Sequence, residues 1–360
     1  MRLGLLIYGS LDLVSGGFIY DRHLVDNLRR QGDRVEVISL PWRSYARGLL
    51  DNLGPGLAHR LRRASFDALL QDELAHPSLV RLNRRLRPLV SYPILAIVHH
   101  LRSREPRPAW QNRFCRWLER QYLASVDGFV CVSRTTRADV ESLVGNSRPA
   151  VVAPPGGDRL PGAVTREQIA ARAAADGPLK VIFVGNLIPR KELHTLITAL
   201  ATLPPGAWRL QVAGSLSADP AYAGAIRRQI NAAGLAGQVS LRGTMPAPEL
   251  AASLADSHLL AVPSSYEGFG IAYLEGMRFG VPAIAGARGA AREIIRHGEN
   301  GFLVPPGDAG TLAQFLGLLA RDRQRLRAMS LAAYQSGTAH PTWSASAARV
   351  REFLQHLPAP

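Results

Sequence analysis

Lysine is nearly absent from this chain of 360 residues: Lys180 and Lys191 stand alone, and every other basic side chain is arginine. Cysteine is as scarce. Cys115 and Cys131 cannot build a disulfide framework or a multi-cysteine zinc site, so a reducing, cytoplasmic compartment is expected. No apolar run approaches the roughly 18 residues of a membrane span. The opening "MRLGLLIYGSLDLVSGG" lacks the layout of a secretory leader and reads as a first strand with its loop. No Asp-x-Asp pair and no His/Cys cluster at ligand spacing occurs, so no metal is expected. No G-x-G-x-x-G opens either first helix, which excludes a nicotinamide oxidoreductase.

What is present is an ordinary globular balance, 47% hydrophobic and 20% charged, over a length that suggests two domains. The charge is unusual. Lys and Arg number 43 against 28 Asp and Glu, a net +15. Residues 81–120 hold ten arginines and two glutamates, +8 in one stretch. Such a patch suits an anionic partner, while an arginine-rich composition with solvated faces is the plainer reading.

Strand and helix patterns alternate along the chain. "RLGLLIY" and "RVEVISL" flank a helical stretch from about Gly17 to Arg30, and "DALLQDE", "ILAIVHH" and "GFVCVS" follow as short apolar runs. That alternation predicts parallel sheet in an α/β domain over 1–155. A Pro-, Gly- and Ala-rich stretch predicts a linker over 156–178. The rhythm resumes at "LKVIFVG" for a second α/β domain over 179–335, and 336–360 is expected to be a helix returning to the first domain. Two Rossmann-like halves imply a ligand cleft between them.

Two places carry chemistry. After "LKVIFVG" the loop "NLIPRK" runs into a helix, so Arg190 and Lys191 stand at a helix N-terminus, where free N–H groups and the dipole favour an anion. A bland loop would look similar, but a compact ammonium in a chain that otherwise uses arginine points to a specific contact. In "VPSSYEGFGIAYLEGM", Gly268 and Gly270 let the backbone approach a ligand, with Glu267 before the next helix and Glu275 inside it. Read singly, Glu267 would be a cap and Glu275 a solvent-facing residue.

"PSSYEGFGIAYLEGM" resembles the E-x7-E signature of the retaining GT-B glycosyltransferases of family 4. "FVGNLIPRK" is similar to that family's basic loop, "AREIIRHGENGFLVPPGD" to its downstream segment, "LVSGGF" to its first glycine loop, and "PILAIVHH" to the strand carrying its histidine. The resemblance covers nearly the whole chain. It implies a GT-B fold with two Rossmann-like α/β domains across a cleft, and transfer of a sugar from a UDP- or GDP-sugar donor. By position it implies that Lys191 binds the donor diphosphate, that Glu275 holds the donor ribose, and that Glu267 with the Gly268, Phe269 and Gly270 amides surrounds the sugar and diphosphate. Gly16 and Gly17 match the loop that closes over the phosphates. His99 matches the histidine beside the transferred sugar, with His100 as second candidate, since neighbours on a strand face opposite ways. Where the family often has an arginine, this chain has Asn186, and Arg190 is the expected substitute.

The resemblance implies no required metal or other cofactor, because cations and helix N-termini can meet the leaving diphosphate. It also implies a glycan or lipid-linked acceptor on the N-terminal half, in cell-surface polysaccharide or glycolipid synthesis. The alternatives are a GT-B epimerase or phosphorylase and, more remotely, a basic nucleic-acid binder, although no nucleic-acid module is recognisable and none is expected as a partner. Trp110, Phe114, Trp117, Leu118 and Tyr122 recur at helical spacing among Arg113, Arg116 and Arg120. Core packing is the expected reading of the aromatics; the competing one is peripheral docking on an anionic inner membrane face.

Overall fold

The computed structural model describes residues 1–43, 45–51 and 56–357. The chain folds as two domains, one formed by Met1–Pro155 with Thr342–Pro360, and a second formed by Gly156–Pro341.

The first domain runs β1 (Arg2–Tyr8), α1 (Gly16–Arg30), β2 (Arg34–Leu40), α2 (Tyr45–Asp51), α3 (Gly56–Arg63), β3 (Ala68–Asp72), α4 (His76–Leu86), β4 (Ile94–Val98), α5 (Ala109–Leu123), β5 (Gly128–Cys131), α6 (Arg134–Val144) and β6 (Ala150–Val152). All its strands are parallel, in the order β2-β1-β3-β4-β5-β6. A parallel sheet covered on both faces needs near-continuous apolar strands, and β3, β4 and β5 are buried at every residue. Ser15 caps α1 by accepting from Phe18 N–H, so the helix starts at Gly16.

The second domain runs α7 (Arg166–Ala174), β7 (Leu179–Val184), α8 (Leu193–Ala201), β8 (Trp208–Ala213), α9 (Pro220–Ala232), β9 (Val239–Gly243), α10 (Ala247–Asp256), β10 (Leu259–Val262), α11 (Ile271–Arg278), β11 (Ala283–Gly286), α12 (Ala291–Ile294), β12 (Gly301–Val304), α13 (Ala309–Arg321) and α14 (Arg323–Ala339). Its parallel sheet has the order β12-β11-β10-β7-β8-β9. The closing helix α15 (Trp343–Gln355) belongs to the first domain. It is fastened there by Arg351, whose Nε donates at 2.8 Å to Asp33, a carboxylate that also holds the N-terminal ammonium at 2.7 Å.

Two boundaries differ from those expected of the sequence. The stretch expected as a linker over 156–178 carries α7, closed by a Thr165–Gln168 capping box and burying Ile169 and Ala173 in the second domain. Its alanines supply helix propensity and its short apolar stripe supplies burial, which a Pro/Gly count does not register. The expected break at 335/336 falls instead at Pro341, because α14 runs unbroken to Ala339. No helix among the described residues is long and apolar enough to cross a membrane.

Candidate active site

In each sheet the chain reverses its direction of growth once, between β1 and β3 in the first domain and between β7 and β10 in the second. At such a switch the connections leave in opposite directions and open a crevice at the strands' C-terminal ends, where ligands of open α/β sheets bind. Of the residues singled out in the sequence, Asn186, Arg190, Lys191 and Glu267–Gly270 follow β7 and β10 in the second domain, and Gly16, Gly17 and His99 follow β1 and β4 in the first.

In the second domain, one wall is the loop after β7. Pro189–Lys191 forms a 3₁₀ turn ahead of α8. The other wall is Pro263–Gly270, between β10 and α11. The walls are tied together: Ser265 N–H donates to Arg190 O at 2.9 Å, and Arg190 Nη1 donates to Tyr266 O at 2.6 Å. Lys191 Nζ donates to Glu267 Oε1 at 2.5 Å, Ser264 Oγ donates to the same oxygen at 2.6 Å, and Arg190 Nη1 lies 3.6 Å from Glu267 Oε2. Burial alone would raise the Glu267 carboxyl, but the Lys191 ammonium and Arg190 guanidinium outweigh it and hold it at about 2. Burial pushes the Lys191 ammonium below its ordinary value, against the pull of Glu267.

Glu267 is also fixed through its backbone. Ala290 N–H donates to Glu267 O at 2.8 Å, and at Gly289 (φ +82°) a Cβ would lie 2.1 Å from that same oxygen. Only glycine permits the two segments to approach this closely. Helix α11 starts from Gly270 without a side-chain cap, and of its first-turn amides Tyr273 N–H donates to Gly270 O at 3.0 Å. Phe269 is buried, with its ring 5.8 Å from that of His340.

Glu275 lies buried on α11, and its Oε1 accepts from Arg159 Nε at 2.5 Å. Asn186 turns Oδ1 to Ser215 N–H at 3.2 Å, tying the β7 and β8 loops together, while Arg190 sits on Glu267. Of these two, Arg190 is the one in the cation cluster.

In the first domain, the crevice holds His99. Both histidines lie just past the end of β4 rather than inside it. Their partners differ. His99 Nε2 is 3.2 Å from Asp21 Oδ1 and 3.8 Å from Asp72 Oδ1, whereas His100 Nε2 bonds Glu105 Oε1 at 2.8 Å. Gly16 and Gly17, matched by the resemblance to a glycine loop, form the first turn of α1, which the helical pattern placed from about Gly17. Gly17 packs on the imidazole: a Cβ there would meet His99 Cδ2 at 3.0 Å.

Three charged groups of these crevices are not among those expected from the sequence. Asp21 carried a legible signal, since it lies in register with Leu24, Val25 and Leu28 on the buried face of α1. Asp72 ends a wholly buried strand. Arg159 lies in the Pro/Gly stretch and gave none. Glu192 adds a backbone peculiarity: among the described residues it is the non-glycine with positive φ, at +53°, held by Gly307 N–H on its carboxylate at 2.7 Å.

The aromatic stripe of α5 departs from the core-packing expectation. Leu118 and Tyr122 are buried, but Trp110, Phe114 and Trp117 are 66%, 44% and 57% exposed. The arginines split as well. Arg84 and Arg87 border a depression with Ser91, Asp127 and Arg148, residues that precede β4, β5 and β6. That is the N-terminal edge of the sheet, opposite to His99.

Residues 14–159 match Glycosyltransferase Family 4, and residues 164–336 match Glycosyl transferases group 1. The chain belongs to glycosyltransferase family 4. Among curated relatives, it is 30% identical over 237 residues to the GDP-mannose-dependent alpha-(1-6)-phosphatidylinositol monomannoside mannosyltransferase of Mycobacterium tuberculosis, covering 62% of this chain and 60% of the relative. It is 31% identical over 228 residues to the D-inositol 3-phosphate glycosyltransferase of Nocardia farcinica, covering 60% of this chain and 49% of that protein. The matched part thus spans between half and three fifths of these relatives' lengths. The fold is GT-B. Sucrose-phosphate synthase from Thermosynechococcus elongatus superposes with a TM-score of 0.81 at 22% identity, over 98% of both chains. Anabaena HepE, solved with UDP and glucose, gives 0.76 at 20% identity over 99% of this family 4 chain and 100% of its own.

Proposed function

We propose that this family 4 chain is a retaining glycosyltransferase that moves a sugar from a UDP- or GDP-sugar to a glycan or lipid-linked acceptor, in cell-surface polysaccharide or glycolipid synthesis. The observation that carries the reading is the Arg190–Lys191–Glu267 cluster beside the uncapped start of α11, with Glu275 eight residues after Glu267. In this reading Glu267 keeps two cations charged and in place in the free protein. An arriving diphosphate takes up the Lys191 ammonium and the Arg190 guanidinium, and the α11 amides complete its shell. These groups stabilise the negative charge that grows on the leaving nucleoside diphosphate as an oxocarbenium-like sugar forms, with no metal called on. Glu275, steadied by Arg159, accepts the ribose hydroxyls. The relatives' names support a GDP-linked donor and an inositol-containing acceptor, and a structural neighbour's UDP complex supports a uridine one.

The acceptor reading rests on the first domain. Trp110, Phe114 and Trp117 interleave with exposed Arg113 and Arg116 on α5, and exposed Leu13, Val14 and Trp42 follow β1 and β2 at the same end of the sheet. Aromatic and basic groups together fit the interfacial zone of an anionic bilayer. We place peripheral contact with the inner membrane face here, on α5, and not on the arginines of the opposite edge.

Incubation with a panel of nucleoside-diphosphate sugars tests the function. Hydrolysis or transfer with one UDP- or GDP-sugar, releasing product with the donor's anomeric configuration by NMR, is the expected result. Inversion, or turnover of none of the panel, refutes it.

A further inference from the structure

Asp21 and Asp72 are wholly buried, and they face a single ring nitrogen. Asp21 is the odd one. Among the described residues, neither of its carboxylate oxygens has a hydrogen-bond partner, and neither has His99 Nε2, although the ring lies only 3.2 Å away. Asp72 is partly compensated, since its Oδ1 accepts from Leu74 N–H at 2.9 Å. An ionised carboxylate stripped of water and of hydrogen bonds is strongly destabilised unless a cation stands beside it. The group beside Asp21 that can supply one is the imidazole.

We infer that Asp21, assisted by Asp72, is a positioning residue that holds His99 as an imidazolium with Nε2 turned inward, so that His99 serves the transfer reaction as a hydrogen-bond donor through Nδ1–H and not as a base. The inference rests on the glycosyltransferase reading for its catalytic meaning, but the protonation state stands on the geometry alone. The ring cannot turn away readily. Gly17 lies against its Cδ2–Nε2 edge, where a Cβ would come within 3.0 Å, and the Tyr20 ring meets it edge-on at 5.4 Å. Its side chain keeps 15% exposure, which leaves an outward face.

The acidic groups around the ring all act in one direction. Asp21 comes from α1, Asp72 from the end of β3, and Glu73 from the turn beyond it; Tyr20, also on α1, meets the ring edge-on, and His100 is engaged with Glu105. Burial alone would lower the imidazole, but Asp21, then Asp72 and Glu73, outweigh it and raise it to about 9. Burial and Asp21 raise the Asp72 carboxyl to about 7. At neutral pH the pocket therefore holds an imidazolium beside two buried carboxyl groups, of which Asp72 is partly protonated.

A base at this place would need the opposite arrangement, a neutral ring with a free lone pair aimed outward. A donor needs only Nδ1–H, which the imidazolium keeps at every pH below its midpoint.

The experiment is an NMR titration of the His99 ring in the full chain, for wild type, Asp21→Asn and Asp72→Asn, with nucleotide-sugar turnover followed across pH in parallel. The wild-type ring should stay protonated through neutrality and titrate near pH 9. Asp21→Asn should lower the midpoint about a hundredfold in proton affinity, and Asp72→Asn should lower it less, matching the longer distance. Activity of wild type should hold up to the alkaline midpoint, and Asp21→Asn should bring that limb down with the NMR midpoint. A neutral wild-type ring at pH 7, or an unchanged midpoint in Asp21→Asn, overturns the inference. So does a stoichiometric divalent ion whose removal by chelator shifts the His99 signals, since ligation requires the neutral ring. If wild type turns over no nucleotide sugar while the titration behaves as stated, the functional reading fails and the imidazolium stands.

Discussion

Arg159 Nε donates to Glu275 Oε1 at 2.5 Å, tying the segment ahead of α7 to the helix that follows the Gly268–Gly270 turn. Glu275 is buried, so its carboxylate depends on that guanidinium for compensation. Under the proposed function, Glu275 presents its other oxygen to the ribose. A hydrogen bond to a charged group contributes about 1.5–3 kcal/mol, so a Glu275 carboxylate released from Arg159 and turned off the ribose loses roughly tenfold or more in affinity. Arg159→Ala should therefore weaken UDP or GDP binding by that factor in calorimetry. It should also narrow the preference for the ribonucleotide over its 2′-deoxy analogue; an unchanged preference would detach Arg159 from ribose recognition.

Lys191→Ala should lower transfer at least tenfold, about 1.4 kcal/mol in barrier. Lys191→Arg should also be impaired, because a planar fork does not fit where a half-buried point charge contacts Glu267. Arg190→Ala should raise the donor KM or lower kcat, with a milder effect from Asn186→Ala, whose side chain braces Ser215. Steady-state kinetics giving the reverse order would assign the second phosphate contact to Asn186.

The Glu267 carboxyl, held at about 2 against an ordinary 4.5, makes stability pH-dependent in a defined window. A depressed carboxyl binds its proton less readily folded than unfolded. Its contribution is complete above about pH 4.5 and is lost as pH falls toward 2. Urea midpoints of wild type should drop across that range, and Glu267→Gln should flatten the drop while lowering stability near neutrality, where Lys191 loses its counter-charge. Parallel curves for the two proteins would show that the pair contributes nothing to folding.

Vesicle co-sedimentation checks the membrane surface. Binding to vesicles containing acidic lipid should exceed binding to neutral ones and fade with salt, as the screening length contracts from about 10 Å at 0.1 M to 3 Å at 1 M. Replacing Trp110, Phe114 and Trp117 together by Ser should abolish pelleting, whereas charge reversal at Arg84 and Arg87 should leave most of it. The opposite ranking would place the docking face at the arginine-bordered edge of the sheet.

Much of this protein was legible in one dimension. Parallel strands buried on both faces must be apolar runs, so β1, β4, β5 and β7 announced themselves, and their alternation with helices required a doubly wound sheet. The loop carrying Arg190 and Lys191 and the Glu267–Gly270 turn are local in sequence, so their place after β7 and β10 could be read before any packing was known. The tertiary structure alone decided which groups meet. Lys191 and Glu267 are 76 residues apart, and Arg159 and Glu275 116 apart; a charge pattern along a chain does not encode such pairings. The same holds for His99, whose charge is set by Asp21 and Asp72 through distance and burial, neither of which a linear spacing contains. It holds again for α5, where one aromatic periodicity served a core face and a solvent face together. Helical spacing says that side chains share a stripe; only the neighbours packed beside the helix say whether that stripe meets protein or water.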